Sequence, residues 1–282
     1  MQISKVGVVG AGTMGNGIAQ VCATAGLSVT MLDIDQQSLE RGLSTVAGSL
    51  ERLVRKEQLA PADRESALQR IQITTDYADL AEVDLVIEAT SEVERIKLAI
   101  IQTLDRTVCK EAIIASNTSS ISITKLAAAS AAPNRFIGMH FFNPVPVMQL
   151  VELIRGLQTN DATHQAAERF VELIGKAAIS VRNSAGFAVN RILVPMINEA
   201  VFVLQEGIAS ARDIDEGMRL GCNHVIGPLA LADLIGLDTL LSVMEVFYTS
   251  FNDSKYRPAP LLREMVEAGY LGRKSGQGFY SY

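Results

Sequence analysis

The chain has 282 residues, 48% of them apolar and 20% charged, which suits one or two folded domains at about 150 residues each. Its 25 basic and 31 acidic side chains leave a net charge of -6, shared as -3 on either side of residue 183. With no basic tract, nucleic acid is not expected as a partner. Cysteines at 22, 109 and 222 form neither a disulfide framework nor a metal knuckle, and no stretch reads as a targeting peptide or membrane span. A soluble, cytoplasmic protein without a membrane partner is expected.

The elements alternate from the start. Residues 3–9 read as a buried strand. Gly10, Gly12 and Gly15 follow, then a helical run over residues 16–25, Gly26, and a second apolar strand closed by Asp33. That unit opens an α/β domain with a parallel sheet. A polar helix is expected over residues 36–56, and Pro61 opens the next segment. A strand at 83–88 leads to Ser91 and Glu94, whose spacing predicts a capping box and a helix to about residue 104. Strands are predicted at 113–116, 135–140, 148–154 and 177–181, with a helix at 162–174. After Gly186 the pattern turns wholly helical, with Ser210 and Asp213 spaced to cap one helix, a long apolar stretch over 229–251, and a last helix at 261–268. The fold class is therefore α/β, a doubly wound Rossmann-type domain over residues 1–183, followed by an all-helical domain over 184–282. The apolarity of LALADLIGLDTLLSVMEVFY also suits burial against a second subunit, so a homo-oligomer is expected.

Gly10-Ala11-Gly12-Thr13-Met14-Gly15 fits G-x-G-x-x-G. The match gains weight because it follows a strand, opens a helix and is answered by Asp33 at the end of the next strand. Gly10 permits the tight turn, Gly12 lets a pyrophosphate approach the helix N-terminus, and Gly15 lets helix and sheet pack closely. Asp33 is placed to accept from ribose hydroxyls and to repel a 2′-phosphate, so NAD is expected over NADP. FAD uses the same turn and is not excluded by these residues.

Of three histidines, His164 lies in a polar helix and His224 in a loop between helices. His140 ends an apolar strand immediately before Phe141, Phe142, Asn143 and Pro144, at the strand end where open α/β sheets bind ligands. Glu152 interrupts the next apolar strand, where a carboxylate needs a partner. A pair of His140 and Glu152 would fix the ring tautomer, favour the imidazolium and serve as a proton acceptor for an alcohol or donor for a ketone. The competing reading is a structural histidine with an unrelated glutamate. Asn117, Ser119, Asn143 and Asn190 are further polar candidates for the same crevice. No cluster has metal-ligand spacing, so no metal is expected.

The runs VGVVGAGTMGNGIAQ, ASNTSSISI, IGMHFFNPVPVMQLVELI, GFAVNRILVPMINEA, GPLALADLIGLD, DSKYRP and GYLGRKSGQGFY, in this order, resemble the (S)-3-hydroxyacyl-CoA dehydrogenases, and more closely the bacterial short-chain 3-hydroxybutyryl-CoA enzymes. The resemblance implies NAD-dependent exchange between a 3-hydroxyacyl-CoA and a 3-ketoacyl-CoA, in a homodimer made by the helical domain, with higher assembly left open. It further implies His140 as general acid/base oriented by Glu152, and Ser119 and Asn190 contacting the reacting part of the substrate. By the same resemblance Glu92 and Lys97 lie beside the cofactor, and Ser49 and Lys56 contact the CoA portion.

Three positions depart from the family pattern: Gln149 where Lys is usual, and Ala185 and Val225 where Pro is. Loss of the two prolines is expected to loosen interdomain loops. The rivals are a dehydrogenase of the same fold for longer acyl-CoA or a sugar acid such as gulonate, and a non-catalytic NAD-binding protein of the lens-crystallin kind.

Overall fold

The computed structural model describes residues 3–282, and its boundary between two compact units falls between Ser184 and Ala185. The first unit is built on one eight-stranded sheet: β1 (Lys5–Val9), β2 (Ser28–Leu32), β3 (Ile71–Thr74), β4 (Leu85–Glu88), β5 (Ile113–Ser116), β6 (Phe136–Phe141), β7 (Leu150–Arg155) and β8 (Ala177–Arg182). Their order across the sheet is β3-β2-β1-β4-β5-β6-β7-β8. All neighbours run parallel except β6 and β7, which pair antiparallel. The order reverses between β1 and β4, and a crevice for ligands opens beyond the strand ends at such a switch point.

Four helices belong to the first half of this unit. The first, α1 (Thr13–Thr24), has the uncapped, exposed Gly12 as its N-cap and buries Gly15, Ile18, Ala19 and Cys22, the three-and-four spacing of a core-facing stripe. Its start at Thr13 brings Thr13 and Met14, predicted to lie in the turn, into the first helical turn. The long α2 (Gln36–Arg55) is capped by Asp35, which accepts from the Ser38 amide at 2.8 Å, and buries Leu39, Gly42, Val46 and Leu50. A short α3 (Pro61–Gln69) and β3 follow; β3, Ile-Gln-Ile-Thr, alternates apolar and polar residues but at four residues is too short to stand out in the sequence. Next in the chain is α4 (Glu94–Thr107).

The capping box predicted from Ser91 and Glu94 does not form. Val93 is the N-cap of α4, without a side-chain bond, because its own amide donates to the Ser91 carbonyl at 2.8 Å and turns the chain before the helix begins. The remaining helices of the unit are α5 (Ile123–Ala128), which the sequence reading missed, and α6 (Asp161–Leu173).

The second unit comprises α7 (Val189–Gln205), α8 (Ala211–Gly221), α9 (Pro228–Ile235), α10 (Leu237–Phe251) and α11 (Pro260–Glu267). Ser210 caps α8 by accepting from the Asp213 amide. The apolar stretch read as continuous over 229–251 breaks into α9 and α10 at Gly236, whose φ is 101°. Ile197, Val201, Leu229, Leu240, Met244, Phe247 and Leu262 form the core. Two buried acids organise its end: Asp215 accepts from the Leu229 and Ala230 amides at the start of α9, and Asp233 accepts from the Phe279 and Tyr280 amides of the C-terminal hook. Val225 stands between α8 and α9, wholly inside this unit and 98% exposed. The expectation that its change from Pro loosens an interdomain loop is therefore corrected. Among the described residues, no helix is long and apolar enough to cross a membrane.

The third glycine of the turn is dictated by contact. A Cβ on Gly15 would lie 1.8 Å from the Gly10 carbonyl oxygen, a backbone atom that cannot rotate away. Gly15→Ala should therefore cost about 3 kcal/mol, the upper end of overpacking penalties, and push α1 off the sheet. Urea unfolding should register the lost stability, and an NADH fluorescence titration the weakened binding.

Candidate active site

The β6–β7 hairpin places His140 directly opposite Glu152 in the antiparallel register. Each strand buries most of its residues, so His140 is only 6% exposed and Glu152 not at all. Nδ1 of His140 lies 2.7 Å from Oε2 of Glu152, which makes Nδ1–H the donor and holds the ring in the tautomer that presents Nε2 for proton exchange. The Phe142 ring flanks the imidazole, with centroids 4.5 Å apart. The two residues singled out in sequence for acid/base chemistry are thus brought together.

A second polar network occupies the ends of β4 and β5. Glu88, fully buried at the last position of β4, receives the Lys97 ammonium on both oxygens at 2.9 Å. It also accepts from Ser116 Oγ at 2.6 Å and from the Thr90 amide and hydroxyl. Glu92 lies one step outward. Its Oε1 accepts from Thr118 Oγ1 at 2.6 Å and from the amides and hydroxyls of Ser119 and Ser120, while Oε2 is 3.5 Å from Lys97. Burial opposes the charge on Glu92, but the Lys97 ammonium and these donors outweigh it and hold the carboxyl below the usual glutamate range. Lys97 is itself 1% exposed, so its ammonium supports this loop from beneath. Sequence reasoning missed Glu88, although a carboxylate within an apolar strand was the signal that identified Glu152.

The loop carrying Ser119 is tied to the histidine strand through Asn117, whose Oδ1 accepts from the Phe141 amide at 2.9 Å. Asn143 is exposed in the connector after β6 and precedes a cis peptide bond to Pro144. Ser49 is half-buried on α2, and Lys56 is the exposed residue that ends it. Asn190 stands half-buried in the first turn of α7, in the second unit. The unusual Gln149 is exposed and turns its amide back to the Val147 carbonyl.

The glycine turn meets the requirements of a dinucleotide. Nothing stands within 4 Å of a Cβ built on Gly12, so the N-terminus of α1, with its unpaired amides, is open to a phosphate. Asp33 accepts from the Ala11 and Ile34 amides at 2.7 Å each, which anchors the carboxylate yet leaves lone pairs for ribose hydroxyls. Beside it lies an apolar cavity of about 440 Å³ lined by Ile34, Tyr77, Ile96, Ala99 and Ile100 among others. Its volume and walls suit an adenine ring. These wall residues come from three separate segments and carry no joint signal in the sequence.

Two family models match the chain: the NAD binding domain of 3-hydroxyacyl-CoA dehydrogenase over residues 5–184, and the C-terminal domain of the same enzyme over residues 186–282. The chain is 52% identical over 280 residues to a 3-hydroxybutyryl-CoA dehydrogenase of Bradyrhizobium diazoefficiens, covering 99% of this chain and 96% of that one. It is 53% identical over 278 residues to a probable 3-hydroxybutyryl-CoA dehydrogenase of Deinococcus radiodurans, with 99% and 100% covered. Among solved structures, the (S)-3-hydroxybutyryl-CoA dehydrogenase of Ralstonia eutropha superposes with a TM-score of 0.98 at 63% identity, covering 100% of this chain and 99% of that one.

The lowered pKa of Glu92 has a stability consequence with a definite sign. A carboxylate whose folded value lies below its unfolded one stabilises the fold above the unfolded value, near pH 4.5, and loses that contribution as pH falls through the folded value. Glu92→Gln should therefore flatten the acid side of a plot of melting temperature against pH relative to the wild-type protein.

Proposed function

Because the chain belongs to the 3-hydroxyacyl-CoA dehydrogenase family, we propose that its residues interconvert (S)-3-hydroxybutyryl-CoA and acetoacetyl-CoA with NAD as cofactor. The observation that carries the residue assignment is the buried His140–Glu152 pair, 2.7 Å apart across a fixed strand register. Bound NAD supplies the hydride acceptor for the hydroxy substrate, and its reduced form the hydride donor for the ketone.

Every other part is played by the chain. In the oxidative direction Nε2 of His140 takes the proton of the 3-hydroxyl as C3 loses its hydride; in the reductive direction the imidazolium returns that proton to the carbonyl oxygen. Glu152 holds the ring in place through Nδ1–H and stabilises the imidazolium by its charge. Ser119 is the proposed hydrogen-bond partner of the substrate oxygen, its hydroxyl positioned by Glu92. Asn190 is assigned to the same oxygen on the family resemblance. Gly10 to Gly15, with Thr13 and Met14, would hold the pyrophosphate, Asp33 the adenosine ribose, and Asn117 and Asn143 the nicotinamide end. Glu92 and Lys97 would act by shaping the Ser119 loop beside the cofactor. Ser49 and Lys56 are assigned to the CoA portion.

A four-carbon thioester is the proposed preferred substrate within the broader class of 3-hydroxyacyl-CoA and 3-ketoacyl-CoA. A homodimer built through the second unit is also proposed, with support from its exposed apolar side chains Ile192, Ile208 and Leu220. The expected location is the cytoplasm. Light scattering on the purified protein checks the dimer.

The deciding assay is NADH consumption at 340 nm with acetoacetyl-CoA, run beside NADPH, a longer ketoacyl-CoA and a ketonic sugar acid. Fastest turnover of acetoacetyl-CoA with NADH is expected; silence on every thioester by folded, NADH-binding protein would overturn the reading. In the same assay His140→Gln should lower kcat by about 10²- to 10⁴-fold, and Glu152→Gln should also lower it, with KM for acetoacetyl-CoA little changed. Asp33→Ala should raise KM for NADH and narrow the gap to NADPH, since it removes both the ribose acceptor and the charge that repels a 2′-phosphate.

A further inference from the structure

The connector between β6 and β7 spans residues 142–149, eight residues joining the strand of His140 to the strand of Glu152. A two-residue turn would set the pairing of the hairpin by its own geometry, but a loop of this length does not. The register nevertheless matters more here than elsewhere, because a one-residue slip would turn Glu152 to the opposite face of the sheet. Internal bonding in the connector is thin. Pro144 and Pro146 have no amide hydrogen to donate, and the amides of Val147 and Met148 both reach the same acceptor, the Pro144 carbonyl.

What fastens the connector comes from outside it. Lys176, immediately before β8, is only 8% exposed, and its ammonium donates to the carbonyls of Val145 at 2.7 Å and Met148 at 2.6 Å. Lys176 makes no salt bridge among the described residues. Burial accordingly pushes its pKa down, against an opposing influence of Cys22. A buried ammonium answered only by carbonyl dipoles is costly, and an apolar side chain would fill that place at lower cost. Its base is firm, since the Lys176 amide donates to the Val171 carbonyl and the Ala177 amide to that of Gln149. On its other side the connector rests on α1: Val145 is buried, and a Cβ on Gly17 would approach the Val145 Cβ to 2.9 Å.

We propose that Lys176 is a positioning residue for the His140–Glu152 pair, its ammonium clamping the connector between their strands and seating it on the helix that opens at the glycine turn. One residue thereby holds the acid/base pair and the dinucleotide-binding helix in a common frame. The inference rests on the acid/base role assigned to His140 above, but its geometry can be tested without substrate.

The test compares Lys176→Met and Lys176→Arg with the wild-type protein in acetoacetyl-CoA reduction and in the low-field proton spectrum, where the Nδ1–H of His140 bonded to Glu152 resonates. A cavity of about 320 Å³ beside Lys176, lined also by Gln20, Thr24, Pro146 and Gln149, leaves room for the arginine. For Lys176→Met, kcat should fall at least tenfold with KM for acetoacetyl-CoA within twofold, and the His140 resonance should be lost or broadened. Lys176→Arg should recover most of both. Gly17→Ala, which presses on Val145 from the opposite side, should reproduce the kcat loss and the broadening, and decides the matter if Lys176→Met does not fold. A folded Lys176→Met with kcat within twofold of wild type, or with the resonance intact, would overturn the proposal, as would a Gly17→Ala protein unchanged in both. If wild-type protein fails to reduce acetoacetyl-CoA, the functional reading fails, and the clamp is judged on the resonance alone.

Discussion

The arrangement of the site depends on one antiparallel pairing in a sheet that is otherwise parallel. Because β7 runs against β6, the chain that leaves the ligand end of the sheet at His140 returns from that same end, and Glu152 arrives opposite the imidazole after only eleven intervening residues. A parallel β7 would have needed a crossover of a dozen residues or more and would have entered from the far end. The carboxylate is then fully buried, 2.7 Å from the histidine Nδ1. The pair thus joins β6 and β7 at the position proposed for proton transfer.

The same physics recurs at the neighbouring strand ends. Glu88 closes β4 inside the protein, and its charge is met by Lys97 from α4, by Ser116 from β5 and by Thr90. Glu92 extends that network outward and draws in the amides of Ser119 and Ser120. A loop that would otherwise be mobile is thus held by charge-assisted hydrogen bonds, which are about twice as strong as neutral ones. Asn117 links it to β6. The Ser119 loop and the histidine strand are consequently parts of one hydrogen-bonded structure, and a substrate oxygen between them would meet groups already oriented.

The cofactor side is governed by sterics more than by charge. The glycine turn works because Gly15 brings α1 within contact of the Gly10 carbonyl and because Gly12 leaves its surroundings open. Asp33 fixes the turn through the Ala11 amide, so the residue proposed to select the ribose also supports the loop proposed to meet the pyrophosphate.

Much of this was legible in the sequence, for reasons that differ by residue. The glycine turn and Asp33 are local features whose spacing alone states their geometry, and the shift from strand-like to helical periodicity near residue 184 follows from burial repeating along each element. His140 and Glu152 stood out because polar groups in apolar strands require partners, but whether they met depended on strand direction, which no local pattern encodes. Glu88 gave the same signal as Glu152; that Lys97 is its buried partner was decided by the packing of α4 against the sheet. The cap of α4 followed a backbone turn at Ser91 that residue spacing did not reveal, and the break at Gly236 was hidden by the apolarity on either side. Lys176 gave no sign in the sequence at all, since a lysine before a strand is ordinarily solvated. The sequence by itself determined the glycine turn with Asp33 and marked the polar residues lodged in apolar strands as candidates, because those depend on side-chain type and short-range backbone sterics. Only the tertiary structure decided which of them meet, because burial in a shared sheet sets partners by strand order and direction across long separations in the chain.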